Sequence, residues 1–513
     1  MTTDRIIITL CILFYIGLSL IFLFYGNIHA DESTYLYAIK MVLDGKILYR
    51  DFIYIQLPLL PYLYGFFLKY IGVSLLTGRL VSMLFSIGTV ILSINISKRL
   101  GGNKVAILCA LLLCLNPFQT YFFTITRVYS PATFFFVLSI FLMMTKIRPV
   151  QRNMLSFLSL SIAISCRLTL LPAILPILVY YYIFDCRKNL SGKSKTKFLP
   201  LILPLAASIV FFILTLLPFA IFAGFYKFFY LNLIFHLNIE MPSFASYIVQ
   251  KAYAISIFFQ GYFFISVLIG ACLSYFWLNR NRYKQVFKSR LTGLEACLWF
   301  IVFLITGLHL TTKYLQPSYQ VVIFPFACIV TAICIKRIYD QVSQQYLRLA
   351  MILIFLCGAL ITPVSYGREN VEKIDGRRAS ALAIEMGKYV KSITNKDDLI
   401  LSSDTPLLAV EADRKLLTGF ENIEYYPEWS NEMCKEYKVV NDEILENYII
   451  HKVPELIIVG DLSFTMSMPN RHMIGNEKHK QIFKMIEDNY NLMKVFPNPT
   501  HGIKGTNTYI YKK

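Results

Sequence analysis

The sequence predicts a polytopic α-helical membrane protein, with about eleven spans followed by a small α/β domain outside the bilayer. Three observations predict it. Of the 513 residues, 56% are hydrophobic and 15% aromatic, above the roughly 45–50% apolar content of an ordinary globular chain. The apolar residues gather in repeated runs of roughly 20, the length an α-helix needs to cross the hydrocarbon core. Beyond residue 364 the composition becomes that of a water-soluble protein, which divides the chain into a membrane region, 1–364, and a soluble region, 365–513.

The first apolar run, Ile6 to Tyr25, is too long for the apolar core of a cleaved signal peptide and is expected to stay as a signal-anchor helix. Arg5 precedes it, and positive charge holds a flank on the cytoplasmic side. Basic loops then recur at Lys98-Arg99 with Lys104, at Lys146, Arg148 and Arg152, at Arg187 to Lys197, at Arg280 to Arg290, and at Lys336-Arg337 with Arg348. The loops between them are poorer in Lys and Arg, so the alternation places the N-terminus inside and the soluble region on the extracytoplasmic face. The long apolar stretch 153–184 is broken by Arg167 and Pro172, and a charge and a proline there read as the join between two spans.

The formal charge of +19 would suit nucleic acid if it lined one soluble face, but it is dispersed among short loops and no binding module accompanies it. Nucleic acid is therefore excluded as a partner, and the bilayer is expected instead. Of the eleven cysteines only Cys434 falls in the soluble region, and no CxxC occurs, so they read as small packing residues rather than a disulfide framework.

Two outer segments exceed simple turns. The first, 27–75, contains Pro58 and Pro61 as breakers, with helix-like spacing over Thr34–Leu48 and an aromatic run over Leu59–Ile71 that suit helices lying on the membrane surface. The second, 224–252, carries Lys227, His236, Glu240 and Lys251 among aromatics. In the soluble region the periodicity predicts helices at Ala379–Ile393 and Lys478–Asn489, and strands at Leu399–Ser402, Glu455–Val459 and Thr508–Tyr511.

The acids Asp31 and Glu32 follow the first span directly, and charged residues at such a place are ordinarily solvated loop charges. Their surroundings point elsewhere. The stretch reads His29-Ala30-Asp31-Glu32-Ser33-Thr34-Tyr35, then Asp44-Gly45, Tyr49-Arg50-Asp51, Pro58-Leu59-Leu60-Pro61, and Arg79 at the opening of the second span. Farther on come Asn116-Pro117, Arg127-Val128-Tyr129-Ser130-Pro131, Arg167-Leu168-Thr169 and Lys313-Tyr314-Leu315-Gln316-Pro317. This pattern resembles the GT-C superfamily of polytopic glycosyltransferases, in the branch of protein O-mannosyltransferases, aminoarabinose transferases and PMT-2-like enzymes, over roughly residues 1–365.

The resemblance implies a transferase that moves a sugar from a polyprenyl-phosphate donor to an acceptor hydroxyl of a lipid, glycan or protein, with inversion at the anomeric carbon. It gives Asp31 the role of general base and makes Glu32 its catalytic partner, orienting the site or capping nearby backbone. The lipid phosphate is already a competent leaving group, so the chemistry asks for a base within hydrogen-bond reach of the acceptor and for cations on the phosphate. Candidate cations are Arg79, Arg127, Arg167 and Lys313, and candidate substrate contacts are Tyr35, Tyr49, Asp51 and Tyr314. Two positions depart from the aminoarabinose branch, which has a Lys where Gln56 stands and an Arg where Thr34 stands. Both argue against aminoarabinose transfer itself. His29, His236 and His309 lie near outer ends of spans without ligand spacing, so no metal or other cofactor is indicated, while the resemblance leaves a divalent cation open, since some GT-C oligosaccharyltransferases use one. A transporter or lipid-glycan flippase is the competing class, though the distinctive acids sit at one interface and no inverted repeat is visible. A polymerase or ligase using a lipid-diphosphate donor is a third.

Overall fold

A computed structural model of the chain describes residues 3–186, 198–238, 243–252, 269–270, 289–312, 316–346, 348, 371, 373–374, 377–403, 406–422, 425–465, 474–500 and 506–513. Helix α1 (Thr3–Tyr25) leads into the outer segment, where α2 (Ala30–Leu43) and α3 (Leu59–Ile71) are the two helices expected there. The first ends five residues sooner than its apolar spacing suggested, because Asp44 closes it and Gly45 takes φ +83°, a conformation that glycine alone adopts cheaply.

Helix α4 (Leu75–Cys114) opens on a capping box in which Ser74 and Thr77 exchange side-chain and backbone hydrogen bonds. Asn116 caps α5 (Pro117–Thr124), with proline in the first turn where its missing N–H costs nothing. α5 and α6 (Tyr129–Met143) are bent by 105° across Ile125–Val128. α7 (Pro149–Cys166) stops at Arg167, a 3₁₀ turn covers Leu168–Ala173, and α8 (Ile174–Tyr181) continues, so the expected break in 153–184 is present. Then come α9 (Leu199–Ala223), α10 (Arg290–Thr311), the 3₁₀ segment Pro317–Val322 and α11 (Phe324–Gln341).

Among the described residues five helices are long and apolar enough to cross a membrane, and a sixth if the bent α5–α6 pair is one span. Expected spans over 253–288 and before residue 365 lie largely outside the described residues. α9 exposes Ile202, Leu214 and Ile221, side chains that face acyl chains rather than water. The chain is an integral membrane protein.

Residues beyond 371 carry the strands. After a short hairpin, β1 (Lys373–Ile374) and β2 (Arg377–Arg378), comes α12 (Ala379–Ile393). Strands β3 (Leu399–Ser402), β4 (Lys415–Leu416), β5 (Leu456–Gly460), β6 (Asn491–Pro497) and β7 (Asn507–Lys512) form one sheet in the order β4-β3-β5-β7-β6. β3 is parallel to β4 and β5, while β7 is antiparallel to β5 and β6. β5 is buried along its whole length, which is why it reads as an unbroken apolar run. Two strands of this sheet escaped the sequence pattern, as did the β1–β2 hairpin: β4 spans only two residues, and β6 is mostly exposed with Asn491 and Lys494 in it.

The sheet region rests on the first outer segment. Ser380 Oγ donates to Phe24 O at 2.5 Å, Leu75 N donates to Glu411 Oε1 at 2.7 Å, and Leu416 N donates to the Tyr37 hydroxyl at 2.7 Å. Lys40 Nζ meets Asp413 Oδ1 at 2.6 Å, and Ile28 forms a backbone bridge with Thr500. These contacts fix α2 between the membrane helices and the sheet.

Candidate active site

The site is built on the start of α2. His29 is its N-cap, and its Nδ1 accepts the Asp31 N–H at 3.3 Å. Asp31 and Glu32 thus stand in the first helical turn, where the helix dipole favours carboxylates. Successive helical side chains diverge by about 100°, so the neighbours leave the helix in different directions. Asp31 keeps 42% of its side chain exposed, whereas Glu32 has none.

Glu32 points into the bundle. Arg79 donates Nε to its Oε1 at 2.9 Å and Nη2 to its Oε2 at 2.7 Å. Oε1 also accepts the Thr126 N–H at 2.9 Å, a backbone group freed where α5 and α6 part. The rest of the Arg79 guanidinium serves the end of α1, donating Nη1 to Phe22 O and Gly26 O at 3.0 Å and Nη2 to Asn27 O at 2.8 Å. Those carbonyls are among the acceptors that a helix C-terminus leaves unpaired. Gly78 lets α4 come this close: a Cβ there would stand 2.5 Å from Thr126 Oγ1 and 2.6 Å from Leu36 Cδ2.

This geometry corrects the expectation of a phosphate on Arg79 and shows what Glu32 holds. Every N–H of Arg79 is engaged within the protein and the side chain is fully buried, so it has no donor left for a phosphate. Glu32, equally buried, joins α1, α4 and the α5–α6 break and does not face a substrate.

Arg127 and Arg167 behave differently. Arg127 Nη2 donates to Asp31 Oδ2, and Nη1 lies 3.2 Å from His29 Nε2. Its Nε is buried without a hydrogen-bond partner. The guanidinium stands 4.8 Å over the Tyr129 ring, and Arg167 stands 4.8 Å over the same ring and 4.9 Å over that of Tyr319. A negative π face holds two like charges near each other. Tyr129 is itself pinned by a 2.9 Å hydrogen bond between its hydroxyl and Ser318 Oγ. Arg167 Nε donates to Thr169 Oγ1 at 3.0 Å, and His309 Nε2 lies 3.4 Å from that same hydroxyl. One partly exposed carboxylate and two stacked guanidiniums therefore converge where both broken helices open, with one positive charge in excess among these described residues.

Of the expected substrate contacts, Tyr35 belongs to this cluster: it is buried, and burial with the nearby Asp31 carboxylate pushes its hydroxyl well above the ordinary tyrosine range. Tyr49 and Asp51 shape the loop instead. Tyr49 is fully buried at φ 67°, donates its hydroxyl to Gln56 O, and packs edge-on against Tyr54, Phe219 and Phe228. Asp51 Oδ2 accepts the Ile47 N–H at 2.7 Å, and both its oxygens take 2.9 Å hydrogen bonds from Arg50, which holds the carboxyl below its ordinary value. Lys313 and Tyr314 lie outside the described residues. Among the described residues no three His, Cys, Asp or Glu side chains group as metal ligands do.

Sequence reasoning missed the stacking roles of Tyr129 and Tyr319 and the Arg127 contact of His29. No spacing links residues 29, 129 and 319; only the helix breaks bring them together.

No family model matches the sequence, and no curated protein matches it. Solved structures do. ArnT from Cupriavidus metallidurans in the apo state superposes with a TM-score of 0.61 at 9% identity, covering 97% of this chain and 96% of that one. The same enzyme bound to undecaprenyl phosphate gives 0.63 at 9% identity, covering 99% and 97%. This chain has the GT-C fold. The oligosaccharyltransferase of Archaeoglobus fulgidus in complex with Zn and sulfate shares the GT-C architecture at a TM-score of 0.53 and 12% identity, covering 94% of this chain and 71% of that one. At these identities the likeness is one of fold, and the chemistry rests on the residues of this chain.

Proposed function

We propose that the protein is an inverting glycosyltransferase that moves a sugar from a polyprenyl-phosphate donor to an acceptor hydroxyl on the extracytoplasmic face. The observation that carries this reading is the Asp31 carboxylate opposed by Arg127 and Arg167 at the opening between two broken helices. The GT-C fold, with an undecaprenyl-phosphate-bound relative among its neighbours, supports a lipid-linked donor.

In this reading the donor phosphate is held by Arg127 and Arg167, which offer planar, permanently charged forks. A phosphate that takes hydrogen bonds from Arg127 competes with Asp31 for the same guanidinium and leaves the carboxylate more basic. The acceptor hydroxyl then attacks the anomeric carbon from the face opposite the phosphate. Its proton passes to Asp31, the new glycosidic bond forms, the C–O bond to phosphate breaks, and polyprenyl phosphate leaves with the electron pair under both guanidiniums. The configuration inverts because there is one displacement. Glu32 and Arg79 position this arrangement without touching it, Glu32 by fixing the first turn of α2 and the Thr126 backbone. The reading needs no metal. In this reading the site and the sheet region lie outside the cytoplasm, which the alternating basic loops support, and the sheet region, resting on the first outer segment, is suited to cover an acceptor.

The test is to incubate purified protein with a panel of polyprenyl-phosphate sugars and their diphosphate counterparts, and to detect released lipid phosphate with each acceptor class. Release from monophosphate donors with inverted product is the expected result. Transfer from diphosphate donors alone would make it a polymerase or ligase, and sugar-lipid translocation in liposomes without a glycosidic product would make it a flippase.

A further inference from the structure

The membrane region has a second concentration of cations, at the end of the bundle away from Asp31. A cavity of about 800 Å³ is lined by Arg99 of α4, Lys146 of the α6–α7 connection, Arg152 of α7 and Arg290 of α10, with Met143 and Leu294 among its apolar walls. Arg79 and Arg99 are twenty residues apart on α4, roughly 30 Å at the helical rise, about the thickness of the hydrocarbon core. α7 runs the opposite way, from Arg152 here to Arg167 at the site.

The charges are not balanced within the cavity. Asp185, 1% exposed, takes hydrogen bonds from Arg152, Arg290 and Asn153 Nδ2, the last at 3.1 Å, and among the described residues that line the cavity none is acidic. Four cations thus face one buried carboxylate. Arg99 is oriented by Met144 O at 3.3 Å and by the Phe141 ring 4.3 Å beneath it. Arg290 donates Nη2 to Phe184 O at 3.0 Å, but its Nη1 is buried with no hydrogen-bond partner. Charges that only set topology would each be solvated separately in loops; these converge on one cavity, and Arg290 keeps a buried donor without an acceptor among the described residues.

The rim says what kind of anion fits. Ile147 is 42% exposed, Leu291 48% and, a turn deeper on α7, Leu155 46%, so the cavity mouth continues into side chains that face acyl chains. A soluble phosphate has no use for that apolar border, whereas a lipid phosphate brings its chains with it. We infer that this cavity binds the phosphate of an anionic membrane lipid on the face opposite Asp31, with the four cations around the head group and the chains along α7 and α10.

The experiment uses the full chain, delipidated in detergent, with phosphatidylglycerol or phosphatidylcholine added and retention read by native mass spectrometry. Phosphatidylglycerol should be retained preferentially, and Arg99→Gln with Lys146→Gln should weaken it by about fivefold per cation, about thirtyfold for the pair. Both side chains are exposed, so the double variant should keep the wild-type melting temperature, and Lys146→Arg should retain binding. Equal retention of both lipids, unchanged retention by a folded double variant, or displacement of the lipid by millimolar inorganic phosphate would each overturn the assignment.

Discussion

Arg79 and Glu32 meet in a two-pronged pair, at 2.9 and 2.7 Å, with neither side chain exposed. The same guanidinium ties down the carbonyls of Phe22, Gly26 and Asn27, and the same carboxylate holds the Thr126 N–H. A buried pair of this kind is costly to break from one side, about 3–5 kcal/mol, because the remaining charge stays buried and unpaired. Glu32→Gln should therefore lower the melting temperature and the yield of folded protein in detergent. If it kept wild-type stability and lost only transfer, Glu32 would belong to the chemistry instead.

Arg127 has a different expectation, because it faces the opening. Replacing it with Gln should raise the donor KM and lower kcat by about 10²–10³, the usual loss when a preorganised charge at a developing anion is removed. Arg127→Lys should recover little, since an ammonium cannot span Asp31 and a phosphate while stacking on Tyr129. Steady-state kinetics with a polyprenyl-phosphate sugar, beside thermal unfolding as a fold control, reads both.

Tyr129 carries both arginines on one ring. Each such contact contributes about 0.5–2 kcal/mol, so Tyr129→Leu should raise the donor KM about tenfold or more. Tyr129→Phe keeps the ring and removes only the Ser318 hydrogen bond, and its KM should stay within about fivefold of wild type. Equal losses in the two variants would show that the hydroxyl, not the π face, is what matters.

Much of this was legible in the sequence and some was not, for physical reasons. The two outer helices, the break at Arg167 and the strand at Leu399–Ser402 follow from local periodicity, proline and charge, and local signals survive folding. The pairing of Asp31 with Arg127 rather than Arg79 did not follow, because both arginines are buried near helix ends and only the packing around Gly78 closes Arg79 onto Glu32. β4 and β6 were missed because a two-residue strand has no period and an exposed edge strand has no apolar face.

The sheet region makes a prediction of its own. Glu421 is buried and its Oε2 accepts the Gly419 N–H at 2.7 Å; burial pushes its carboxyl from 4.5 up to about 7, against the pull of Lys438 and Lys46. The folded state then binds more protons than the unfolded state between those values, so stability falls as pH rises from 4.5 to about 7 and is level above. Thermal unfolding across that window should show the decline in the wild type and not in Glu421→Gln. The same slope in both would place the titrating group elsewhere.

The central claim is that Asp31 acts as base while Arg127 holds the donor phosphate. The most direct measurement compares Asp31→Asn with the wild type for both lipid-phosphate binding and single-turnover sugar transfer. The account predicts that transfer is lost while polyprenyl phosphate binds as tightly or more tightly, since Arg127 no longer has a carboxylate to hold. Transfer at the wild-type rate by Asp31→Asn would contradict it.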